Sequence, residues 1–148
     1  MAAIGCLAII AAVLGSPALR ADDEKKILIK ANDDMKYDVT RIDATPGQKI
    51  TVTLTNVGVL PKFAIAHNFV LLKLGADVAA FAKAAMTHEA QGYIPPELAG
   101  EVIAASKMLG PGESDTVTFI APAAGTYDYI CTFPDHLHSG MRGTLKVK

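Results

Sequence analysis

The sequence predicts an all-β fold, a β-sandwich with one inserted α-helix, and three observations indicate it. Short runs in which apolar and polar residues alternate recur along the chain. Clusters that contain Gly and Pro separate these runs, as expected for turns between strands. One Ala-rich stretch has apolar residues at helical spacing instead. With 148 residues, the chain is expected to form one domain with a sizeable core.

The predicted strands follow one another at regular spacing. The clearest is 49–55, KITVTLT, where the alternation has a period of two. The turn signal TPGQ at 45–48 precedes it. On the strand 126–130 we expect one of Tyr127 and Tyr129 in the core and the other outside. The remaining predicted strands are 27–30, 36–39, 115–120 and 143–148. Short strands at such spacing favour a β-sandwich, for which we expect Greek-key connections.

The stretch 77–86, DVAAFAKAAM, predicts the inserted helix. Its apolar residues Val78, Phe81, Ala82 and Ala85 have the spacing i, i+3, i+4, i+7. Asp77 offers a carboxylate that can cap the first turn. We expect this helix to cover one end or edge of the sheets.

The first residues, MAAIGCLAIIAAVLG, form an apolar run of the size of a signal-peptide core and too short to span a bilayer. We therefore predict a signal peptide at residues 1–21, cleaved after Ala18 or Ala21, and a mature domain at 22–148. This predicts a periplasmic protein without stable membrane insertion after cleavage. The formal net charge of −1, with interspersed charges, excludes the basic surface typical of nucleic-acid binding.

Removal of the signal peptide would remove Cys6, so Cys131 would be the only cysteine of the mature protein. No intramolecular disulfide could then form, and a lone thiol in an oxidising compartment needs other protection, such as a metal bond. The segment CTFPDHLHSGM at 131–141 also holds His136, His138 and Met141. Two predicted strands flank it, which would confine these soft ligands to a small volume.

A further strong ligand is expected from His67, which lies in the apolar context AIAHNFVLL. A histidine in such a context is more often a hydrogen-bonded core residue, and only the cluster elsewhere favours ligation. Within the cluster, His138 competes with His136, although an exposed loop position is expected for His138. Substitution of each histidine would decide between them.

Ligand chemistry then selects the metal. Two imidazoles, a thiolate and a weak thioether are typical of a blue copper site, whereas structural zinc normally takes four strong ligands and rarely Met. Four protein ligands leave no open position for a substrate. The sequence therefore predicts one copper ion per chain that carries electrons, and not an enzyme. A copper carrier that delivers the ion remains the alternative.

Several long segments resemble the azurins of the cupredoxin family. They are NDDMKY at 32–37, LPKFAIAHNFVL at 60–71, VIAASKMLGPGESDTVTF at 102–119, CTFPDH at 131–136 and GTLKV at 143–147. The resemblance implies a cupredoxin fold with His67, Cys131 and His136 as equatorial copper ligands and Met141 as a long axial ligand. It also implies that the backbone carbonyl of Ala66 lies near the copper.

The resemblance further implies that Asn68 links the two ligand segments through the backbone of Thr132, and that the Phe133 amide donates to the Cys131 sulfur. Redox proteins would dock transiently on an apolar patch where the ring edge of His136 reaches the surface. That patch would comprise Met35, Leu60 and Ile65.

The sequence also departs from the azurin pattern in ways that concern the site. The spacing between His136 and Met141 is one residue longer, as in plastocyanin and auracyanin. Asp135 replaces the glycine before the ligand histidine, and Asn56 replaces a pH-sensitive histidine. We therefore expect a changed axial contact, a carboxylate at the docking face and no internal proton switch.

Overall fold

The structure is a computed structural model and describes residues 24–148. The predicted signal peptide lies outside these residues and stays a prediction. Within the described part of the chain, no helix is long and apolar enough to cross a membrane. The described residues form nine strands, which are β1 (Glu24–Asn32), β2 (Lys36–Tyr37), β3 (Arg41–Ala44), β4 (Lys49–Asn56), β5 (Val70–Leu72), β6 (Val102–Ala105), β7 (Ser114–Ile120), β8 (Gly125–Ile130) and β9 (Arg142–Val147).

The strands form two sheets, which confirms the predicted β-sandwich. The first sheet has the order β2-β1-β4-β7 and the second has the order β3-β9-β8-β5-β6. Strands β1 and β4 pair in parallel, as do β3 and β9, while the other pairs are antiparallel. Strand β4 follows its alternating pattern, because Ile50, Val52 and Leu54 are buried between the sheets.

The predicted helix is confirmed as α1 (Val78–Ala85). The Asp77 side chain accepts a hydrogen bond of 2.9 Å from the Ala80 N–H and so caps the first turn. Phe81 is fully buried in a small apolar cluster with Val70, Leu72 and Ile130 of the second sheet. The helix therefore covers the face of this sheet that points away from the main core. Two short 3₁₀ helices, Glu89–Gln91 and Pro96–Glu101, follow it.

The expectation that Tyr127 and Tyr129 face opposite sides was wrong. Both lie in the main core, with 5% and 0% exposure. Residues two apart on a strand point to the same face, so the alternation places them together. Their hydroxyls bond the backbone carbonyls of Ala123 at 2.8 Å and Val39 at 2.6 Å. The polar ends of the two rings are thus satisfied without solvent.

Candidate metal centre

Three potential ligands converge at one end of the sandwich. His67 lies three positions before β5, Cys131 directly follows β8, and His136 lies in the turn before β9. Their ligand atoms are all within 4.8 Å of one another, and all three residues are buried. The prediction that His67 approaches the segment 131–141 is therefore confirmed. Among the described residues, this is the group of histidine, cysteine and carboxylate side chains that could hold a metal ion.

The ring of His67 has the environment expected of a ligand. Its Nδ1 and Nε2 are buried, and neither has a hydrogen-bond partner among the described residues. Buried polar atoms are nearly always paired, because an unpaired one costs free energy. The ring centroid lies 5.0 Å from that of His136, and the Cys131 sulfur lies 3.3 Å from His136 Nδ1. A metal ion among these donors would satisfy the unpaired imidazole.

Burial sets the protonation of the three donors. Burial, with a smaller contribution from charge on His67, lowers the pKa of His136 to about 4. Burial also lowers the pKa of His67, although the nearby Asp33 carboxylate opposes this. Both imidazoles are thus neutral at neutral pH and can donate a lone pair to a metal.

Burial raises the pKa of the Cys131 thiol to about 12. The backbone N–H groups of Asn68 and Phe133 oppose this rise, because they stabilise the thiolate. The contribution of Phe133 agrees with the expected amide donation to the sulfur. Without a metal the thiol keeps its proton, and a soft metal ion would be the group that displaces it.

Met141 and Ala66 also lie near the three donors. Met141 is fully buried in the same core cluster as Cys131. Its backbone carbonyl accepts a hydrogen bond of 3.3 Å from the Cys131 N–H, and its N–H donates to the His136 carbonyl at 2.9 Å. The Cys131 sulfur lies 3.9 Å from the Ala66 carbonyl oxygen. The thioether and this carbonyl are therefore available as weak ligands.

The predicted link between the two ligand segments is confirmed. Asn68 Oδ1 accepts a hydrogen bond of 2.9 Å from the Thr132 N–H. A second bond, which the sequence did not indicate, runs from Asn68 Nδ2 to Thr132 Oγ1 at 2.8 Å. Both residues are buried. The neighbours of His67 and Cys131 are thus joined by a pair of bonds that water cannot easily replace.

The turn that carries His136 contains a left-handed residue. Asp135 has a φ of 64°, which is uncommon outside glycine, although Asp and Asn tolerate it better than most residues. This conformation explains why a carboxylate residue is accepted where azurins have glycine. The His136 N–H donates to the Phe133 carbonyl at 3.1 Å, and the two rings are in tilted contact with their centroids 4.8 Å apart. The turn therefore holds His136 in two ways, through the backbone hydrogen bond to Phe133 and through contact with the Phe133 ring.

The ring of His136 is more covered than we expected. The residue is 1% exposed, because Phe133 packs on its ring and Tyr93 packs on Phe133 at 5.4 Å. Apolar surface is nevertheless nearby, since Phe63, which is 88% exposed, lines a cavity together with Ala66 and Phe133. The sequence did not single out this group of tilted rings, because Tyr93 is distant in sequence from Phe133 and His136.

The other imidazoles lie outside the group. His138 is exposed, as predicted, and Cys131 therefore contacts only the nearer histidine of the turn. His88 is half-buried, and its Nδ1 lies 2.9 Å from the Ala84 carbonyl at the end of α1. These contacts leave His67 and His136 as the two imidazoles of the site.

The fold and the donor set together define a class of protein. A two-sheet β-sandwich with a short helix holds two imidazoles, one thiol and one thioether at the end of the strands. This combination is typical of a cupredoxin with a type 1 copper site, in which Cys and Met favour Cu(I) and imidazole also accommodates Cu(II).

Comparisons with known proteins agree with this class. The sequence profile of copper binding proteins of the plastocyanin/azurin family matches residues 24–148. The azurin of Achromobacter denitrificans is 39% identical over 155 aligned positions, which cover 99% of each protein. Auracyanin-B of Chloroflexus aurantiacus is 48% identical over 84 residues, which are 56% of this chain but only 36% of that protein.

Solved structures of related proteins have the same fold. Auracyanin A, a "blue" copper protein of Chloroflexus aurantiacus, matches with a TM-score of 0.75 and 34% identity, over 84% of this chain and 99% of that one. An azurin of Methylomonas sp. strain J matches with a TM-score of 0.73 and 32% identity, over 83% and 97%.

The chain therefore belongs to the plastocyanin/azurin family of copper-binding proteins. It is a blue copper electron-transfer protein with one type 1 copper site per chain, and not an enzyme. A protein of this kind exchanges electrons with redox partners.

Proposed function

We propose that His67, Cys131 and His136 are the three strong copper ligands, with Met141 as the axial ligand and the Ala66 carbonyl as a weak further contact. The unpaired ring nitrogens of His67, next to a buried thiol and a second imidazole, carry this assignment. The copper ion would supply one-electron cycling between Cu(I) and Cu(II).

The protein's own residues keep the site rigid and dry. The three ligands are between 0% and 1% exposed, so water has little access to them. Asn68 and Thr132 fix the two ligand segments to each other, and Phe133 restrains the His136 ring. A ligand set held in this way changes little between oxidation states, which favours rapid electron exchange.

The same burial disfavours the alternative of a copper carrier. A carrier must release its ion readily, whereas these ligands lie under the surface and among core residues. A chelator challenge separates the two functions, because a carrier would lose copper quickly and an electron-transfer site would retain it.

Redox partners would dock on the apolar surface around His136. The exposed side chains of Leu60 and Phe63 support this, since both lie in the segment that leads to Ala66 and His67. Asp135 is also exposed next to His136 and would place a negative charge at the docking face. We further propose that residues 1–21 direct export to the periplasm, as the apolar leader suggests.

The electron self-exchange rate of the copper-loaded protein tests the docking surface. Leu60→Glu is expected to slow self-exchange, because the glutamate carboxylate would have to lose water when two copies of the protein dock. Leu28→Glu is the matched control, since Leu28 is 73% exposed on β1, away from the metal centre. Equal rates for the two variants, with unchanged optical spectra, would exclude this surface.

A further inference from the structure

Asn56 is a buried polar residue outside the ligand set, with 1% exposure. It ends β4 in the first sheet, and both ends of its side-chain amide are bonded. Its Nδ2 donates to the Leu109 carbonyl at 3.1 Å, and its Oδ1 accepts from the Gly58 N–H at 2.9 Å. A buried amide with both functions satisfied is well defined in position.

The partner of Asn56 is also the partner of His67. The Leu109 carbonyl accepts the His67 N–H at 3.0 Å, and the Leu109 N–H donates to the His67 carbonyl at 2.7 Å. These two bonds form an isolated antiparallel bridge. A single carbonyl thus connects the end of the first sheet with the backbone of His67.

The backbone of Asn56 also bonds to the turn that contains Leu109. Its N–H donates to the Glu113 carbonyl at 3.0 Å, and its carbonyl accepts the Gly112 N–H at 2.9 Å. Asn56 therefore fastens the turn that runs from Leu109 to Glu113 at three points. The ring of His67 has no hydrogen bond of its own, so its position depends on its backbone and packing.

We propose that Asn56 is a positioning residue for His67, which it holds through the Leu109 carbonyl; this rests on His67 being a copper ligand. A neutral amide suits the position because it must donate to a carbonyl and accept from an N–H. A carboxylate would lack the donor. A carboxylate would also lie close to the Asp33 carboxylate. Both side chains border the same small space beside Gly58: a Cβ added to Gly58 would be 2.1 Å from Asp33 Oδ1 and 3.0 Å from Asn56 Oδ1.

Hydrogen exchange of the metal-free protein tests the proposal, with Asn56→Ala as the variant and Asn56→Ser as a milder one if alanine prevents folding. The amides of His67 and Leu109 are expected to exchange about fivefold faster relative to amides of β8 and β9, the effect of one lost hydrogen bond. After copper loading, the EPR hyperfine splitting and the reduction potential should also change.

Tyr127→Phe is the matched control, because it removes one bond of 2.8 Å to the Ala123 carbonyl before β8, at the opposite end from Cys131. It should lower stability while leaving the EPR spectrum unchanged. If the variants at Asn56 behave like this control, with uniformly faster exchange and an unchanged spectrum, Asn56 is only structural and the proposal is wrong. A wild-type protein without a blue site would instead refute the ligand assignment.

Discussion

Asn68 and Thr132, the residues that directly follow His67 and Cys131, are joined by two buried hydrogen bonds of 2.9 and 2.8 Å. These bonds span 64 positions of sequence and connect the two segments that carry the imidazole and the thiol. Hydrogen bonds of the protein therefore help to hold the metal centre together.

Replacement of Asn68 should weaken this organisation. Asn68→Ala is expected to lower the free energy of unfolding of the metal-free protein by about 2–4 kcal/mol, because two bonds are lost and the buried Thr132 N–H is left unpaired. Urea denaturation measures the change. Thr132→Val removes only the bond to Oγ1, leaves Asn68 Nδ2 without that partner, and should cost less, about 1–2 kcal/mol. Equal losses for the two variants would contradict the importance of the backbone bond.

The two histidines of the 131–141 turn should differ in effect. His136→Ala is expected to abolish the intense blue absorption of the copper-loaded protein, because the Cys131 sulfur contacts this ring at 3.3 Å. His138→Ala should leave the absorption unchanged, because His138 is exposed. Loss of colour in the His138 variant alone would reverse the assignment.

Met141→Leu should raise the reduction potential and retain the blue colour. Leucine replaces an axial donor with an apolar group of similar volume, and a site with one donor fewer and less polarity disfavours Cu(II), the more highly charged state. Voltammetry measures the potential, and thermal unfolding of the metal-free protein controls for packing. An unchanged potential would indicate that the longer spacing between His136 and Met141 keeps the sulfur away from the ion.

Stability at acidic pH should depend partly on Glu113. The Lys62 ammonium and the Gly110 N–H hold its pKa below the ordinary value of 4.5. Because the folded pKa is lowered, the stabilisation is present above pH 4.5 and is lost as the pH falls through the folded value. Wild type should therefore lose more stability on acidification than Glu113→Gln does.

Lys62→Met is the control for that experiment, because it removes the largest cause of the lowered pKa. Its stability should fall less steeply with acidification than that of wild type. Urea denaturation at several pH values measures how steeply the free energy of unfolding of each protein falls with acidification. Identical pH profiles for wild type and both variants would show that this ion pair does not contribute.

Much of the fold follows from local patterns. The strong alternation of β4 and the helical spacing of α1 were sufficient to predict those elements. Strands β3 and β6 were not predicted, since their pairing partners are distant in sequence and nothing local marks the pairing. Tyr127 and Tyr129 were predicted on opposite faces, but they lie two positions apart, and that spacing places both side chains on one face of a strand.

The four proposed ligands of the site could be predicted from their chemistry and from the motifs that carry them. Cys131, His136 and Met141 lie in one short segment, and His67 stands out by its apolar context. The contacts that support them could not be predicted. Asn56 acts through Leu109, 53 positions away, and nothing local marks that pairing. The burial of His136 likewise depends on side chains brought together only by folding.

The optical and EPR spectra of the protein loaded with one equivalent of copper test the central claim most directly. If His67, Cys131 and His136 bind a single ion, the loaded protein will show an intense blue thiolate-to-copper absorption and a narrow copper hyperfine splitting. Cys131→Ser should remove both features. A colourless copper-loaded wild type, or a blue spectrum that survives in the Cys131 variant, would contradict the account.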